Sequence, residues 1–190
     1  LLLIQVMKLK SEFLREIHSR GFIYQSSDID NLDSLISKKK ITAYIGFDIT
    51  SDSLHIGSLV QLMLLNWLDS YDHNAIALVG GGTTLVGDPS GKDSVRKIMT
   101  LKEISKNIKK IKKIFGQFIN LKGGGLIVNN YEWLANLNYI EFLRDIGSTL
   151  TLNKMLTYES VKNRLDREQP LTFLEFNYML LQAYDFYHLR

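Results

Sequence analysis

The chain has 190 residues, of which 45% are hydrophobic and 23% charged, with a formal net charge of +3. That is enough apolar content for one full core, too ordinary a composition for a disordered chain, and a charge that permits a polyanionic partner without arguing for one. The lack of cysteine excludes disulfides and thiolate metal sites, and no apolar run is long enough for a bilayer-spanning helix.

Residues 1–7 are mostly apolar, with no basic segment before them and no small-residue cleavage site after, so no secretory signal is expected. Met7 is read as the start of the domain, residues 1–6 as an upstream extension, and a cytosolic protein as the simplest setting. Leu9, Phe13, Leu14 and Ile17 recur at helical spacing, and Gly21 would stop that helix. Residues 28–36 read as a second short helix with an acidic or serine cap. Ile41 to Phe47 is a strand. Leu59 to Trp67 is apolar nearly all round, which predicts a buried helix. Ala75 to Val79 is short and wholly apolar, as in the middle of a parallel sheet. Leu101 to Phe118 is an amphipathic helix with the stripe Leu101, Ile104, Ile108, Ile111, Phe115 and Phe118. Lys102, Lys106, Lys109, Lys110, Lys112 and Lys113 fall mostly on its other side, by default a solvated face and otherwise a tRNA contact. Leu126 to Val128 is a third strand, and the last helix runs from about Thr172 to Leu189. Strands alternating with helices give an α/β domain, whose ligands bind beyond the carboxyl ends of the strands. The loops after Phe47, Val79 and Val128 are therefore the places to look.

The first of these loops holds Asp48, Thr50, His55, Gly57 and Ser58 and runs into the buried helix. A helix start offers unpaired N–H groups and partial positive charge, which suits phosphate, and glycine lets a ligand approach the backbone. Thr50 and His55 can add donors; the plainer alternative makes them loop caps. The second loop, Gly80 to Lys92, is rich in glycine but is no P-loop. Only three residues separate Gly87 from Gly91, and Asp93 follows the lysine. Leu85 stands where a dinucleotide motif needs its third glycine. Asp88, between Gly87 and Pro89, is either a turn former or a ligand. On the last helix Tyr178, Gln182 and Asp185 are spaced four and then three apart and share a face. They form either an exposed stripe or a polar set that needs partners.

The stretch from Tyr44-Ile-Gly-Phe-Asp48-Ile-Thr50 to His55-Ile-Gly57-Ser58 resembles the His-Ile-Gly-His signature of class I aminoacyl-tRNA synthetases, and the tyrosine-specific branch in particular. Gly80 to Lys92, Asn129-Asn130-Tyr-Glu-Trp133 and Phe173 to Phe186 resemble the same tyrosyl-tRNA synthetase family. One departure is Ser58, where the signature has its second histidine. Serine can still donate a hydrogen bond and cap the helix, so a modified site is expected and not a dead one.

The resemblance implies a Rossmann-like nucleotide-binding domain over residues 7–190, with a parallel sheet and a helical connecting segment in its later part. It implies a tyrosine--tRNA ligase that attacks the ATP α-phosphate with the tyrosine carboxylate, releases pyrophosphate and passes tyrosine to tRNA(Tyr). Asp48, Thr50, His55, Gly57 and Ser58 would bind ATP, with Thr50 and His55 stabilising charge at its phosphates. Lys92 and Arg96 would act near the same phosphates. Thr83 and Asp88 would face the tyrosine. Tyr178, Gln182 and Asp88 would hold its ammonium, Tyr44 and Asp185 its phenolic hydroxyl, and Asn130 would shape the pocket. Magnesium would arrive with ATP and need no protein-bound metal site. A homodimer is implied, with Phe173 at its interface; the alternative makes Phe173 an ordinary core residue. By the same resemblance the chain is an amino-terminal fragment. The family's later ribose-binding segment, lysine-rich ATP loop and anticodon-binding region are expected elsewhere, so the fragment alone should be inactive. Two rivals are a tryptophan-specific relative, against which Tyr44 and Asp185 argue, and a non-catalytic RNA-binding or splicing-helper module descended from such an enzyme.

Overall fold

A computed structural model describes residues 8–87, 99–120 and 123–190. In chain order its elements are α1 (Glu12–Ser19), α2 (Ile29–Ile36), β1 (Thr42–Asp48), α3 (Ile56–Ser70), β2 (Asn74–Gly80) and α4 (Thr83–Val86). Then follow α5 (Leu101–Phe115), β3 (Leu126–Asn129), α6 (Tyr131–Leu134), α7 (Tyr139–Asp145), a 3-10 turn at Gly147–Thr149, α8 (Leu152–Met155), α9 (Glu159–Asp166) and α10 (Phe173–Leu189). The three strands form a parallel sheet in the order β1–β2–β3, the α/β arrangement that the alternation predicts. The described residues fall into two compact units. One takes those up to Phe47, Ser53–Leu78 and Ile111–Val128; the other takes Asp48–Asp52, those within Val79–Lys110, and Asn129–Arg190.

The first unit contains the sheet except for the last one or two residues of each strand. Central β2 is buried from Ala75 onward, as its unbroken apolar run requires, whereas edge strand β1 is mostly half-exposed. Ser11 caps α1 by accepting from the Leu14 N–H at 3.3 Å. The helix ends at Ser19, and Gly21 then takes φ of 76° while the N–H groups of Gly21 and Phe22 bond back to His18 and Ile17. This stop satisfies carbonyls that would otherwise lack partners, and its left-handed residue is the glycine expected there. α1 buries Phe13, Leu14 and Ile17 and packs on α3. Asp33 of α2 is buried and accepts from the N–H groups of Lys10 and Ser11, both at 2.8 Å.

Three sequence expectations need correction here. α3 extends from Ile56 to Ser70 and is not buried all round. It buries Ser58, Leu62, Leu65 and Leu68, whereas Ile56 and Val60 are exposed. α5 stops at Phe115 rather than Phe118, just before Gly116, a poor helix residue. Its inner stripe is Ile104, Ile111 and Phe115, and Leu101 is exposed. The lysines along α5 lie mostly in solvent, and Lys110 pairs with Asp52 at 2.5 Å.

The second unit is mostly helical, and α10 packs on α4 within it. α10 begins with a reciprocal cap. The Thr172 hydroxyl accepts from the Glu175 N–H at 3.1 Å, and the Glu175 carboxylate accepts from the Thr172 N–H at 3.0 Å. Glu175 is buried and receives Arg164 Nη2 of α9 at 3.0 Å, while Arg164 Nη1 donates to the Pro170 carbonyl at 2.7 Å. Burial pushes the Glu175 carboxyl up, but the Thr172 N–H and hydroxyl and the Arg164 charge outweigh it and hold it below its ordinary value. Phe173 is 71% exposed, so the core alternative for it is not met.

Candidate functional site

The second unit gathers the residues that end each strand. Asp48 closes β1, Gly81 to Thr84 follow β2, and Asn129 closes β3 with Asn130 just after it. Each end carries polar groups that a sheet ladder no longer satisfies, and here side chains replace the ladder. Asn129 Oδ1 accepts from the Gly81 N–H at 3.2 Å, and Asn130 Oδ1 accepts from the Gly82 N–H at 2.8 Å. A Cβ at Gly81 would run into the Asn129 amide, and one at Gly82 into Leu134 at 3.0 Å. Glycine at 81 therefore admits the Asn129 amide, and glycine at 82 the Leu134 side chain. The Thr84 hydroxyl accepts from the Ile49 N–H at 2.8 Å and fixes the chain just past Asp48.

Asn130 has no exposed surface. Its amide hydrogens go to Thr83 Oγ1 at 3.1 Å and Asp185 Oδ2 at 2.9 Å, so both donors and the carbonyl oxygen are engaged. Thr83 in turn donates its hydroxyl to Asp48 Oδ1 at 3.3 Å, and the Tyr178 hydroxyl reaches both Asp48 oxygens at 3.3 Å. On the other side Trp133 Nε1 of α6 donates to Asp185 Oδ1 at 2.8 Å. One connected network thus links Trp133, Asp185, Asn130, Thr83, Asp48 and Tyr178.

Asp185 is 2% exposed and has no cationic partner at bonding distance among the described residues. Burial pushes its carboxyl above the ordinary range, and the bonds from Asn130 and Trp133 and the nearby His188 oppose that rise only in part. Each carboxylate oxygen accepts one hydrogen and retains capacity for another. This arrangement suits an additional uncharged donor.

Of the residues singled out from sequence, the second unit brings together Asp48, Thr83, Asn130, Tyr178 and Asp185. Gln182 lies on an exposed part of α10, and Thr50 is exposed in the turn after β1, so the polar stripe of α10 differs strongly in burial along its length. Tyr44, His55, Gly57 and Ser58 belong to the first unit. His55 is the N-cap of α3, with Nδ1 accepting from the Gly57 N–H at 3.0 Å. That bond places the neutral ring's proton on Nε2, which is left as a donor. A Cβ on Gly57 would sit 2.9 Å from the His55 ring, so this glycine makes room for the histidine itself. Ser58 does not cap the helix; it is buried in its first turn, and its N–H bonds to the His55 carbonyl at 3.0 Å. Asp88, Lys92 and Arg96 lie outside the described residues. Among those described, no group of three or more histidines or carboxylates is placed to hold a metal ion, and no helix is long and apolar enough to cross a membrane.

Sequence reasoning missed Trp133 as a site residue. The available signal was its place three residues after Asn130 at the start of a helical turn, with an indole N–H that seeks a partner when buried.

Residues 37–190 match the family model of class I tRNA synthetases (W and Y). The chain belongs to this family. Among named class I relatives, the tyrosine--tRNA ligase of Brucella abortus is 55% identical over 183 residues, which cover 95% of this chain and 44% of that protein. The tyrosine--tRNA ligase of Wolbachia pipientis is 56% identical over 187 residues, covering 96% and 44%. The chain therefore spans under half the length of these curated relatives. A C-terminally truncated mitochondrial tyrosyl-tRNA synthetase from Aspergillus nidulans superposes with a TM-score of 0.84 at 30% identity, over 93% of this chain and 53% of that one. The Rossmann-like class I fold expected from sequence is the fold observed.

Proposed function

We propose that the protein carrying this chain is a tyrosine--tRNA ligase, which condenses tyrosine with ATP to tyrosyl-adenylate and transfers tyrosine to tRNA(Tyr). The observation that carries this reading is the buried Asp185 carboxylate, held by Asn130 and Trp133 with acceptor capacity to spare. A phenolic O–H supplies the missing donor without adding charge. Phenylalanine supplies none, and a buried acceptor left unpaired rejects the analogue, a rule for which tyrosine against phenylalanine is itself the familiar case. The family resemblance assigns Tyr44 to the same hydroxyl. It assigns the substrate ammonium to Tyr178, Gln182 and Asp88, and neighbouring parts of the tyrosine site to Thr83 and Asn130. Tyr178 already shares Asp48 with Thr83, which supplies the negative charge an ammonium needs.

In this reading the chain supplies no covalent nucleophile. The substrate carboxylate attacks the α-phosphorus, and the bond to the bridging oxygen of pyrophosphate breaks. The protein's part is positioning and charge stabilisation. Asp48, Gly57 and Ser58 would line the ATP site, and Thr50 and His55 Nε2–H would donate to phosphate oxygens. Lys92 and Arg96 would add positive charge, and magnesium would arrive with ATP as part of that substrate. The relatives named tyrosine--tRNA ligase favour the tyrosine branch of a family that also includes tryptophan enzymes. A homodimer working in the cytoplasm on tRNA, with Phe173 at its interface, completes the proposal.

ATP–pyrophosphate exchange by the full-length protein with tyrosine, tryptophan and phenylalanine tests the reading. Exchange should depend on tyrosine, and Tyr44→Phe should lower the preference over phenylalanine by about 0.5–1.5 kcal/mol, the usual worth of one neutral hydrogen bond. Exchange driven best by tryptophan, or none with any of the three, would refute it.

A further inference from the structure

We propose that His188 is a positioning residue for Asp185, acting through the indole of Trp133, and that it thereby contributes to the choice of a hydroxylated over a plain aromatic substrate. The second half of this statement rests on the tyrosine reading above; the first rests on geometry alone.

Trp133 is held to α10 at two places. Its Nε1–H donates to Asp185 Oδ1 at 2.8 Å, and its ring lies on the imidazole of His188 with centroids 4.3 Å apart and planes 18° apart. A single hydrogen bond fixes a point and leaves the indole free to swing about it, and the bond weakens steeply as its angle opens. A stacked ring removes that swing, because tilting the indole would break the face-to-face contact along its whole length. His188 is itself backed. The Tyr184 ring, one helical turn earlier, lies 6.4 Å from it at 26°, and Phe142 of α7 meets Tyr184 edge-on at 5.8 Å. The spacing Tyr184, Asp185, His188 explains how one helix provides both the carboxylate and the clamp, since residues three and four apart share a face.

The two donors to Asp185 differ in how firmly they are fixed. Asn130 is fully buried and makes three side-chain bonds. Trp133 is half-buried and His188 is exposed, so the Oδ1 side is the one that can loosen. If it loosens, the carboxylate rotates about its own Cβ–Cγ bond and no longer presents a fixed lone pair to the incoming hydroxyl.

The test uses the full-length ligase with His188→Ala, His188→Phe, Trp133→Phe and Asp185→Asn. His188→Ala should lower the tyrosine-to-phenylalanine ratio of kcat/KM about two- to tenfold, the range expected for one aromatic stack. The loss should fall mainly on the KM for tyrosine. It should also speed hydrogen exchange of the Trp133 indole N–H, whose NMR signal is identified by its absence in Trp133→Phe. His188→Phe keeps a ring and should restore both readouts to within about twofold of the parent. In the Trp133→Phe background His188→Ala should add no further loss of selectivity.

Equal losses with both amino acids, an unchanged indole exchange rate, or a full His188→Ala effect without the Trp133 N–H would each overturn the proposal. If Asp185→Asn leaves the selectivity ratio intact, the tyrosine reading is what fails. The selectivity half of the proposal falls with it, and the indole exchange rate then decides the positioning half.

Discussion

The two compact units of this molecule solve the same problem with different materials. The first is held by apolar side chains at regular intervals: Leu62, Leu65 and Leu68 on α3, Phe13, Leu14 and Ile17 on α1, and the unbroken run of β2. The second buries Asn130, Thr83, Thr84, Arg164, Glu175 and Asp185 alongside apolar residues such as Ile49, Val161 and Leu180, and its short helices α6 and α7 bury no residue. Apolar packing is non-directional and scales with area, so it tolerates exchange of one hydrocarbon shape for another. A buried polar network is directional, and its members are costly when one partner is missing. The first unit should therefore respond to lost volume, and the second to lost atoms of the right kind.

The largest effect should come from the buried ion pair. Arg164→Ala would leave Glu175 charged, buried and short of its cation, at a cost of about 3–5 kcal/mol in urea unfolding of the full-length protein. The double change Arg164→Met with Glu175→Leu removes both charges and should recover much of that loss. A single-variant cost below about 1 kcal/mol would mean that the pair is effectively hydrated. Next in size is Leu65→Ala on α3, expected to cost about 2–5 kcal/mol, while Leu65→Met should cost less than about 1.5. A smaller but more diagnostic effect is expected for Thr84→Val. The change keeps shape but removes the acceptor of the buried Ile49 N–H, and should cost about 1–3 kcal/mol. If that isosteric swap proved neutral, the contrast between the units would collapse.

The smallest effect is in pH, and it separates His73 of the first unit from Asp185 of the second by sign. Burial lowers the His73 pKa in the first unit from its ordinary value of 6.5, with Lys40 acting the same way and Asp72 against. The folded form then binds this proton less readily than the unfolded chain. The associated stability is present above pH 6.5 and is lost as pH falls through the lower folded value. Asp185 in the second unit runs the other way. Its folded carboxyl is raised by burial, so the folded form holds the proton more readily, and stability rises as pH falls from the folded value toward the ordinary value of 3.8. Thermal midpoints against pH for the parent, His73→Gln and Asp185→Asn would show this. The first variant should flatten the acid-side loss, and the second should remove an opposing gain.

The same division governs what was legible in the sequence. Helices and strands of the first unit announce themselves by period, because burial of a face imposes a repeat on the chain: α1, α2 and the three strands fall within a few residues of their expected bounds. The error at α3 has the same origin. Ile56 and Val60 are apolar yet exposed, and hydrophobicity alone does not reveal whether a face is covered. In the second unit, Tyr178 and Asp185 were recognisable by helical spacing and by resemblance, but their partners were not. That Asn130 spends both amide hydrogens on Thr83 and Asp185, or that Trp133 shares Asp185, depends on residues about fifty positions apart. No local pattern encodes such a pairing. Gly57 shows the same limit: that its missing Cβ makes room for the His55 ring depends on a side-chain placement that no local pattern encodes.

The asparagine side chains at the end of β3 carry a consequence for backbone motion. Gly81 and Gly82 lie in a glycine-rich stretch that would ordinarily exchange its amide protons with solvent within moments. Here Asn130 accepts the Gly82 proton, the Gly81 proton is shared between the Val79 carbonyl at 2.9 Å and Asn129, and the Asn130 N–H bonds to the Val79 carbonyl at 3.0 Å. The ladder of β2 and β3 thus continues past its last strand residue through side-chain carbonyls. In a hydrogen-exchange experiment Gly81 and Gly82 should open with the sheet rather than with the loops. The protection of Gly82, whose acceptor Asn130 also holds Asp185, would register the integrity of the Asp185 network in a form that needs no substrate at all.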